Sequence, residues 1–369
     1  SREEFQAVKE KFFQNCIEIK GHSPELTAEV WRQTESFAGY AFAKGHSASY
    51  AVESYQCLFL KAYYPLEFLV ATVNNYGGFF STELYILEAK RLGATIESIC
   101  INKSFIETTI YGTTIYIGFH LLHSFESKTA RIIEAERLLN GEFIDFQDFL
   151  DRVRISLEQI TLLIRINAFR FTGKNKRELL WEAHMRVAPS KKITTEKELF
   201  PIKTRVFEVP KLISSSEEDA FDEMELIGFT LNSFFNLLSQ QSQRTITASK
   251  DLIHLHGKKV WIKGYLIHVK KTTTATGQLM SFGCFIDQAG GWLDTVHFPP
   301  VLQRYPFRGK GVYEVYGKVN VEYDCVIIEA EYLEKMGVIE DPRYAVPRTV
   351  SNQMVTDNSR IDYWPKERK

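Results

Sequence analysis

The sequence predicts a multidomain α+β protein in which helical segments precede a small five-stranded β-barrel. Apolar residues recur at helical spacing through much of residues 5–92. In residues 258–335, aromatic and β-branched residues alternate with polar ones, and glycine turns separate the short runs. The second pattern is typical of a small closed barrel. A chain of 369 residues is long enough for two or three domains with their own cores.

The overall composition is ordinary for a globular protein, with 44% hydrophobic and 25% charged residues. The net charge is −1, so a nucleic-acid partner requires locally concentrated positive charge. The five cysteines form no metal-binding pattern and suit a reducing cytoplasm, where we expect the protein. No apolar run is long enough to span a bilayer, so we expect no membrane partner. The chain starts without Met inside a helical pattern, and we interpret it as a piece of a longer protein.

Local signals divide the N-terminal region into helices. Ser23, Pro24 and Glu25 provide a cap, a first-turn proline and an acid at a positive helix end. A long helix is predicted to stop before Pro65, and further helices are predicted at 66–75 and 81–92, with a turn at 74–78. Short β-branched runs predict strands at 95–100, 105–110 and 113–117.

A glycine-punctuated polar loop leads into the long helix and carries Tyr40, Lys44, His46, Ser47 and Tyr50. Lys44 offers a mobile positive charge, and its neighbours offer hydrogen-bonding groups. If Ser47 caps the helix, the free N–H groups there add to a phosphate site. The alternative is a polar loop that only starts a helix.

This segment resembles the end of the fingers domain in the alpha subunit of bacterial DNA polymerase III, a C-family replicative polymerase. In that family the region borders the incoming nucleotide and the primer–template, so the resemblance implies that Lys44 and His46 face a triphosphate or a nucleic-acid backbone. Ala43 and Gly45 stand where the family often has Asn and Ser. The matching positions are Phe37, Gly39, Tyr40, Phe42, Lys44, His46, Ser47, Tyr50, Ser54, Tyr55, Gln56, Leu60, Lys61, Tyr64, Pro65, Glu67 and Phe68.

Residues 115–138 resemble the first half of the helix-hairpin-helix domain of the same family, and residues 143–169 would be the second half. Ser124 and Glu126 replace the hairpin glycines. Such hairpins bind DNA by directing backbone N–H groups at a phosphate, and Glu126 puts a carboxylate where the anion belongs. We therefore expect a degenerate tandem helix-hairpin-helix whose phosphate grip is weakened or lost.

A basic loop follows at residues 173–184. Lys174, Lys176 and Arg177 are candidate contacts to a DNA phosphate, but an exposed cationic helix start is the favoured interpretation.

The C-terminal pattern predicts an OB-type barrel. Residues 258–318 carry nine Lys/Arg and three Asp/Glu. Barrels of this type bind single strands by stacking bases on aromatic rings in a basic groove. We expect Lys270, Lys271, Phe282 and His297 to face the ligand, and the alternative for each is a core aromatic or a solvated lysine. Strings in this region also resemble the polymerase barrel.

These patterns divide the chain into five predicted segments. They are the end of the fingers (1–110), the helix-hairpin-helix (111–187), a linker with one helix at about 216–228 (188–256), the OB domain (257–336) and a poorly ordered polar tail (337–369).

The resemblance implies the DNA- and nucleotide-binding portion of a DNA-directed DNA polymerase of a short or error-prone branch. Its partners would be primer–template DNA, single-stranded template, a deoxynucleoside triphosphate and the remaining polymerase domains. In the family, paired aspartates of the palm hold the metal ions, and no such pair is found here. We therefore expect no catalytic residues, no metal site and no cofactor in this chain, with Mg²⁺ at a palm on another segment. The alternative is a stand-alone single-strand-binding module from a split or degenerate gene.

Overall fold

The computed structural model describes residues 2–36, 44–187, 215–323 and 325–344. The chain divides into two compact units, Ser1–Pro65 and Leu66–Lys369. The described part of the first unit is helical, with a π-helical turn at Asn15–Ile19 and the helices α1 (Arg2–Gln14), α2 (Pro24–Ser36) and α3 (Lys44–Tyr63).

An aromatic cluster holds α1 against α2. Trp31 of α2 is buried, and its ring centroid lies 5.5 Å from that of Phe5 and 5.4 Å from that of Phe12. The predicted start of α2 is confirmed, because the Ser23 hydroxyl accepts the Leu26 N–H at 3.2 Å. Helix α3 ends just before Pro65, as its sequence pattern predicts.

The second unit contains a helical body and a β-barrel. In the body, the strands β1 (Thr95–Glu97), β2 (Thr109–Tyr111) and β3 (Thr114–Tyr116) form a sheet in the order β1-β3-β2. The helices are α4 (Pro65–Asn74), α5 (Thr82–Arg91), α6 (Ser127–Asn140), α7 (Phe146–Arg152), α8 (Leu157–Arg165), α9 (Lys176–Arg186) and α10 (Ser216–Leu226).

Side-chain caps set where α7, α8 and α9 begin. Asp145 accepts the N–H of the third residue of α7, and Ser156 does the same for α8. Asn175 and Glu178 form a reciprocal capping box at α9. These polar caps fix where the three helices start beside the apolar core.

The body has one continuous core centred on phenylalanines. The fully buried ring of Phe169 lies edge-on to Phe146 at 5.0 Å and to Phe149 at 4.9 Å between centroids. Buried members of this core run from Val73 to Phe229. The predicted domain boundary between residues 110 and 111 therefore crosses a shared core and is not a physical boundary.

Two further expectations about the domains are wrong for the described residues. Residues 216–256 are not a linker, because α10 packs on the body and Leu252 lies in the barrel core. The segment 337–344 is not a loose tail, because Ile339 N–H donates to the Leu237 carbonyl at 2.9 Å and Arg343 pairs with Asp222. Residues 345–369 lie outside the described residues.

The predicted five-stranded OB-type barrel is confirmed. Its strands close in the order β4-β5-β6-β8-β7, with β6 and β8 parallel and the other neighbours antiparallel. At Gly317 a Cβ would lie 2.2 Å from the Glu329 carbonyl oxygen, so this close strand approach requires glycine. The elements are β4 (Lys259–Thr273), β5 (Leu279–Ile286), β6 (Trp292–His297), α11 (Pro299–Arg304), β7 (Val312–Glu322) and β8 (Cys325–Lys335).

His297 is buried in the barrel, so the expectation that it faces a ligand is wrong. Its side chain is 0% exposed, its Nε2 lies 2.8 Å from Thr295 Oγ1, and its ring packs on Phe307. Thr295 donates its own proton to the Gly283 carbonyl, so its oxygen accepts from Nε2–H of His297. Burial lowers the pKa of His297 to about 4. Leu293, Thr295 and His297 alternate into the barrel interior, so the strand itself turns His297 away from the outer face.

A shared carboxylate joins the body to the barrel. Glu83, in the first turn of α5, is buried; its Oε1 accepts the Tyr265 hydroxyl at 2.8 Å and its Oε2 accepts Lys310 Nζ at 2.9 Å. Burial and the nearby Glu83 carboxylate raise the pKa of Tyr265 well above its usual value, so its proton stays available for this bond. The contact fixes α5 on the outer face of β4.

A second buried carboxylate ties the end of the described chain to the body. Asp222 is 5% exposed and accepts from Arg165 at 2.8 Å, Lys176 at 3.3 Å and Arg343 at 2.7 Å. Three cations around one buried anion compensate its loss of hydration.

We expect Asp222→Ala to lower the free energy of unfolding by about 3–5 kcal/mol, because it leaves buried cations without their shared anion. Urea titration followed by circular dichroism measures the change. The matched control is Asp251→Ala, at an exposed aspartate, which should change stability by no more than about 0.5 kcal/mol. A loss below about 1 kcal/mol for Asp222→Ala would contradict the structural role of the cluster.

We also expect His297 to make stability depend on pH. Its folded pKa of about 4 lies below the ordinary value of 6.5, so its contribution is complete above pH 6.5 and is lost as pH falls towards 4. Between pH 7 and pH 5, wild type should lose about 2 kcal/mol more unfolding free energy than His297→Gln, which has no proton to take up. The control is His254→Gln at an exposed histidine, which should follow wild type. Equal pH profiles for wild type and His297→Gln would show that burial does not perturb His297.

Candidate nucleic-acid interface

The loop predicted before α3 falls within the described residues only from Lys44 onwards. Tyr40 lies outside the described residues, and Lys44 is the first residue of α3. Ser47 therefore lies within the first turn and does not cap the helix, so the conditional phosphate site that used its cap is not formed. The rings of His46 and Tyr50 meet edge-on at 4.6 Å, and Tyr50 is exposed. A role for these residues in nucleotide binding stays a prediction.

The basic loop at α9 is committed to contacts within the protein. Lys176 is buried and pairs with Asp219 at 2.6 Å as well as with Asp222. Lys174 pairs with Glu182 at 2.7 Å, and Arg177 pairs with Glu218. The favoured expectation of an exposed cationic helix start is wrong for Lys176, which also cannot reach a phosphate from its buried position. Lys174 and Arg177 remain half-exposed but compete with their own carboxylate partners.

The first hairpin, between residues 119–121 and α6, turns its backbone inward. Ser124 takes the left-handed conformation expected where the family has glycine, with φ of 61°. Gln159, buried on α8, accepts the Glu126 N–H at 2.8 Å and donates to the Ser124 carbonyl at 3.0 Å. An N–H group that a phosphate would need is thus already bonded. This geometry agrees with the expectation of a weakened phosphate grip, and Gln159 is the residue that sequence reasoning missed.

The barrel brings two predicted residues together on its outer face. Lys270 of β4 lies directly opposite Phe282 of β5, and both side chains are exposed. Paired residues on antiparallel strands point to the same face of a sheet, so the cation and the ring are neighbours. Lys271 is also exposed, but as the next residue along β4 it points to the other face.

The lysines differ in whether an acidic side chain of the protein already binds them. Lys259 and Lys310 of the same domain are bound to Glu331 and Glu83. Among the ion pairs of the described residues, none involves Lys270 or Lys271. Lys270 and Lys271 are therefore available to a ligand anion, and Phe282, 37% exposed, offers a surface for stacking.

The parts of the chain that the structure describes contain neither a membrane-spanning helix nor a cluster of metal ligands. No helix there is both long and apolar enough to cross a bilayer. No group of at least three His, Cys, Asp or Glu side chains there could hold a metal ion.

Comparison with known proteins gives a consistent result. A family model described as helix-hairpin-helix motif matches residues 93–179. The chain is 28% identical to DNA polymerase III subunit alpha of Aquifex aeolicus, over 93% of this chain and 28% of that protein. It is 26% identical to the error-prone DNA polymerase of Bdellovibrio bacteriovorus, over 86% of this chain and 32% of that protein. The chain thus spans about a third or less of these relatives.

Solved structures align with parts of the chain. An OBody bound to hen egg-white lysozyme aligns over 27% of this chain and all of that chain, with 14% identity and a TM-score of 0.22. The second OB-fold domain of replication protein A from Methanococcus maripaludis aligns over 23% of this chain and 87% of that chain, with 15% identity and a TM-score of 0.16. The curated relatives, the helix-hairpin-helix match and the closed barrel together confirm the resemblance: this chain is similar to the C-terminal portion of bacterial DNA polymerase III alpha subunits and error-prone DNA polymerases.

Proposed function

We propose that this chain is the DNA- and nucleotide-binding portion of a bacterial DNA-directed DNA polymerase. The observation that carries the proposal is the exposed pair of Lys270 and Phe282 on the outer face of an OB-type barrel. A lysine without a carboxylate partner attracts a phosphate, and a ring beside it stacks a base. The similarity to polymerase alpha subunits supports DNA as the polymer.

In this proposal the chain positions substrates and does not itself make the phosphodiester bond. Template-directed phosphoryl transfer uses metal ions held by carboxylates, which activate the 3′-hydroxyl and stabilise the leaving phosphate. Those carboxylates would belong to the palm of the polymerase, with Mg²⁺ bound there. The residues of this chain would hold single-stranded template on the barrel and, through Lys44 and His46 of α3, contact the triphosphate or primer.

The internal bonds of the body support the assignment of DNA binding to the barrel. Lys176 is held by carboxylates of α10, and the Glu126 N–H of the hairpin is held by Gln159. Both are unavailable unless internal bonds break, whereas the Lys270 side chain needs no rearrangement. Template contact at the barrel is therefore less costly than at the body.

We expect Lys270→Ala/Lys271→Ala to reduce the salt dependence of single-strand binding by about one unit of slope, because a strand on the outer face loses its phosphate contact with Lys270, whereas Lys271 points to the other face. Fluorescence anisotropy of a labelled oligo(dT) against salt concentration gives the slope. The matched control is Lys258→Ala/Lys318→Ala, which removes two exposed lysines at the other end of the barrel and should keep the wild-type slope. A wild-type slope for the Lys270/Lys271 variant would remove the two lysines from the interface.

The second candidate function is a stand-alone single-strand-binding module, which the same exposed Lys270 and Phe282 would serve.

Primer extension by the isolated chain tests whether catalysis belongs to another segment of the polymerase. With Mg²⁺, all four deoxynucleoside triphosphates and a primed template, we expect no extension unless a complete polymerase alpha subunit is supplied. Extension by the chain alone would contradict the assignment of catalysis to another segment. Binding without any effect of this chain on a polymerase that lacks the matching segment would favour the stand-alone module.

A further inference from the structure

Two exposed phenylalanines lie beside the barrel, on a turn to which sequence analysis gives no role. Phe79 is 84% exposed and Phe80 is 45% exposed. Their ring centroids are 5.3 Å apart, and each lies 6.4 Å from the ring of His268 on β4. We call residues 77–81 the aromatic turn. Large exposed rings next to a basic barrel face call for an explanation, because apolar surface of this size costs free energy in water.

The aromatic turn has a fixed conformation. Gly78 has φ of 92°, and a Cβ there would lie 1.9 Å from the Tyr85 hydroxyl oxygen. The same hydroxyl accepts the Phe80 N–H at 3.2 Å. The aromatic turn is therefore hydrogen-bonded to Tyr85 of α5, and this bond fixes the backbone that holds the two rings at the surface.

The aromatic turn is also fixed relative to the barrel. Helix α5 begins directly after it, and Glu83 of α5 binds Tyr265 and Lys310. Tyr265 and His268 lie on the same strand, so the ion and hydrogen bonds that dock α5 also set the distance from the two phenylalanines to His268. The position of Phe79 and Phe80 at the barrel thus follows from a buried contact.

The pairing of β4 with β5 places their exposed side chains in one row on the outer face of the barrel. His268 lies opposite Cys284, and two residues further along Lys270 lies opposite Phe282. His268 and Lys270 therefore share the outer face, and the row continues from Phe282 and Lys270 through His268 to the aromatic turn. Glu83 of α5 and residues 234–238 cover Tyr265 on β4, and the exposed row begins beyond this covered residue, at His268.

We propose that the aromatic turn extends the single-strand-binding face of the barrel, with bases stacking on Phe79 and Phe80 next to those on Phe282. The proposal rests on the proposed function and adds two residues from outside the barrel to its site. The arrangement of charges and rings favours a single strand as the ligand. Exposed rings lie beside His268 and Lys270, so bases could stack on the rings while phosphates contact the cation. An apolar protein partner would instead require contiguous apolar surface.

The test is oligo(dT) binding by the full chain, measured by fluorescence anisotropy at several salt concentrations. Phe79→Ala and Phe80→Ala should each weaken binding at least about five-fold, since a stacked base contributes about that much or more, and neither should change the salt slope. Phe79→Leu and Phe80→Leu keep apolar bulk without a flat ring and should lose a similar factor. Phe79→Trp should retain wild-type affinity.

The matched control is Tyr111→Ala, which removes an exposed ring on β2 and should leave binding unchanged. Wild-type affinity for both alanine variants, together with weakened binding of Lys270→Ala/Lys271→Ala, would overturn the extension and leave the proposed function standing. Absence of binding by wild type would overturn both. Equal affinity of the leucine variants and wild type would show that apolar bulk suffices and would exclude base stacking at the turn.

Discussion

The buried carboxylate of Glu83 is the contact on which the arrangement of the second unit depends. It sits in the first turn of α5 and satisfies both a tyrosine hydroxyl and a lysine ammonium of the barrel. A buried carboxylate is tolerated only when it is paired and hydrogen-bonded, so the barrel strand and the helix must meet in this orientation. The same contact covers β4 at Tyr265, whereas His268 and Lys270 further along the strand are exposed.

The rest of the basic surface is used differently in the body and in the barrel. In the body, the groups that could bind phosphate already have internal partners. Lys176 is paired with Asp219 and Asp222, and the Glu126 N–H of the hairpin donates to Gln159. In the barrel, Lys270 and Lys271 carry no such partner among the described residues. In the proposed function, the helix-hairpin-helix packs the body and the barrel provides the binding face.

The sequence predicted the architecture well because its signals are local. Strand alternation with glycine turns identified the barrel, a helix cap located α2, and the resemblance to the polymerase family located the helix-hairpin-helix. The errors came from tertiary contacts. His297 is buried because it continues the inward face of Leu293 and Thr295 along β6, and Lys176 is buried because α10 returns from a distant part of the chain with Asp222. Phe79 and Phe80 were missed because only the docking of α5 brings them to His268.

The proposed binding face requires a single strand to lie along the outer face of β4 and β5 and to reach residues 77–81. Amide hydrogen exchange of the full chain with and without oligo(dT) tests it most directly, since bound amides and their neighbours exchange more slowly. We expect added protection in residues 268–284 and 77–81 and no change at residues 124–126. Protection centred on the hairpin at 124–126, or none anywhere in the barrel, would contradict it.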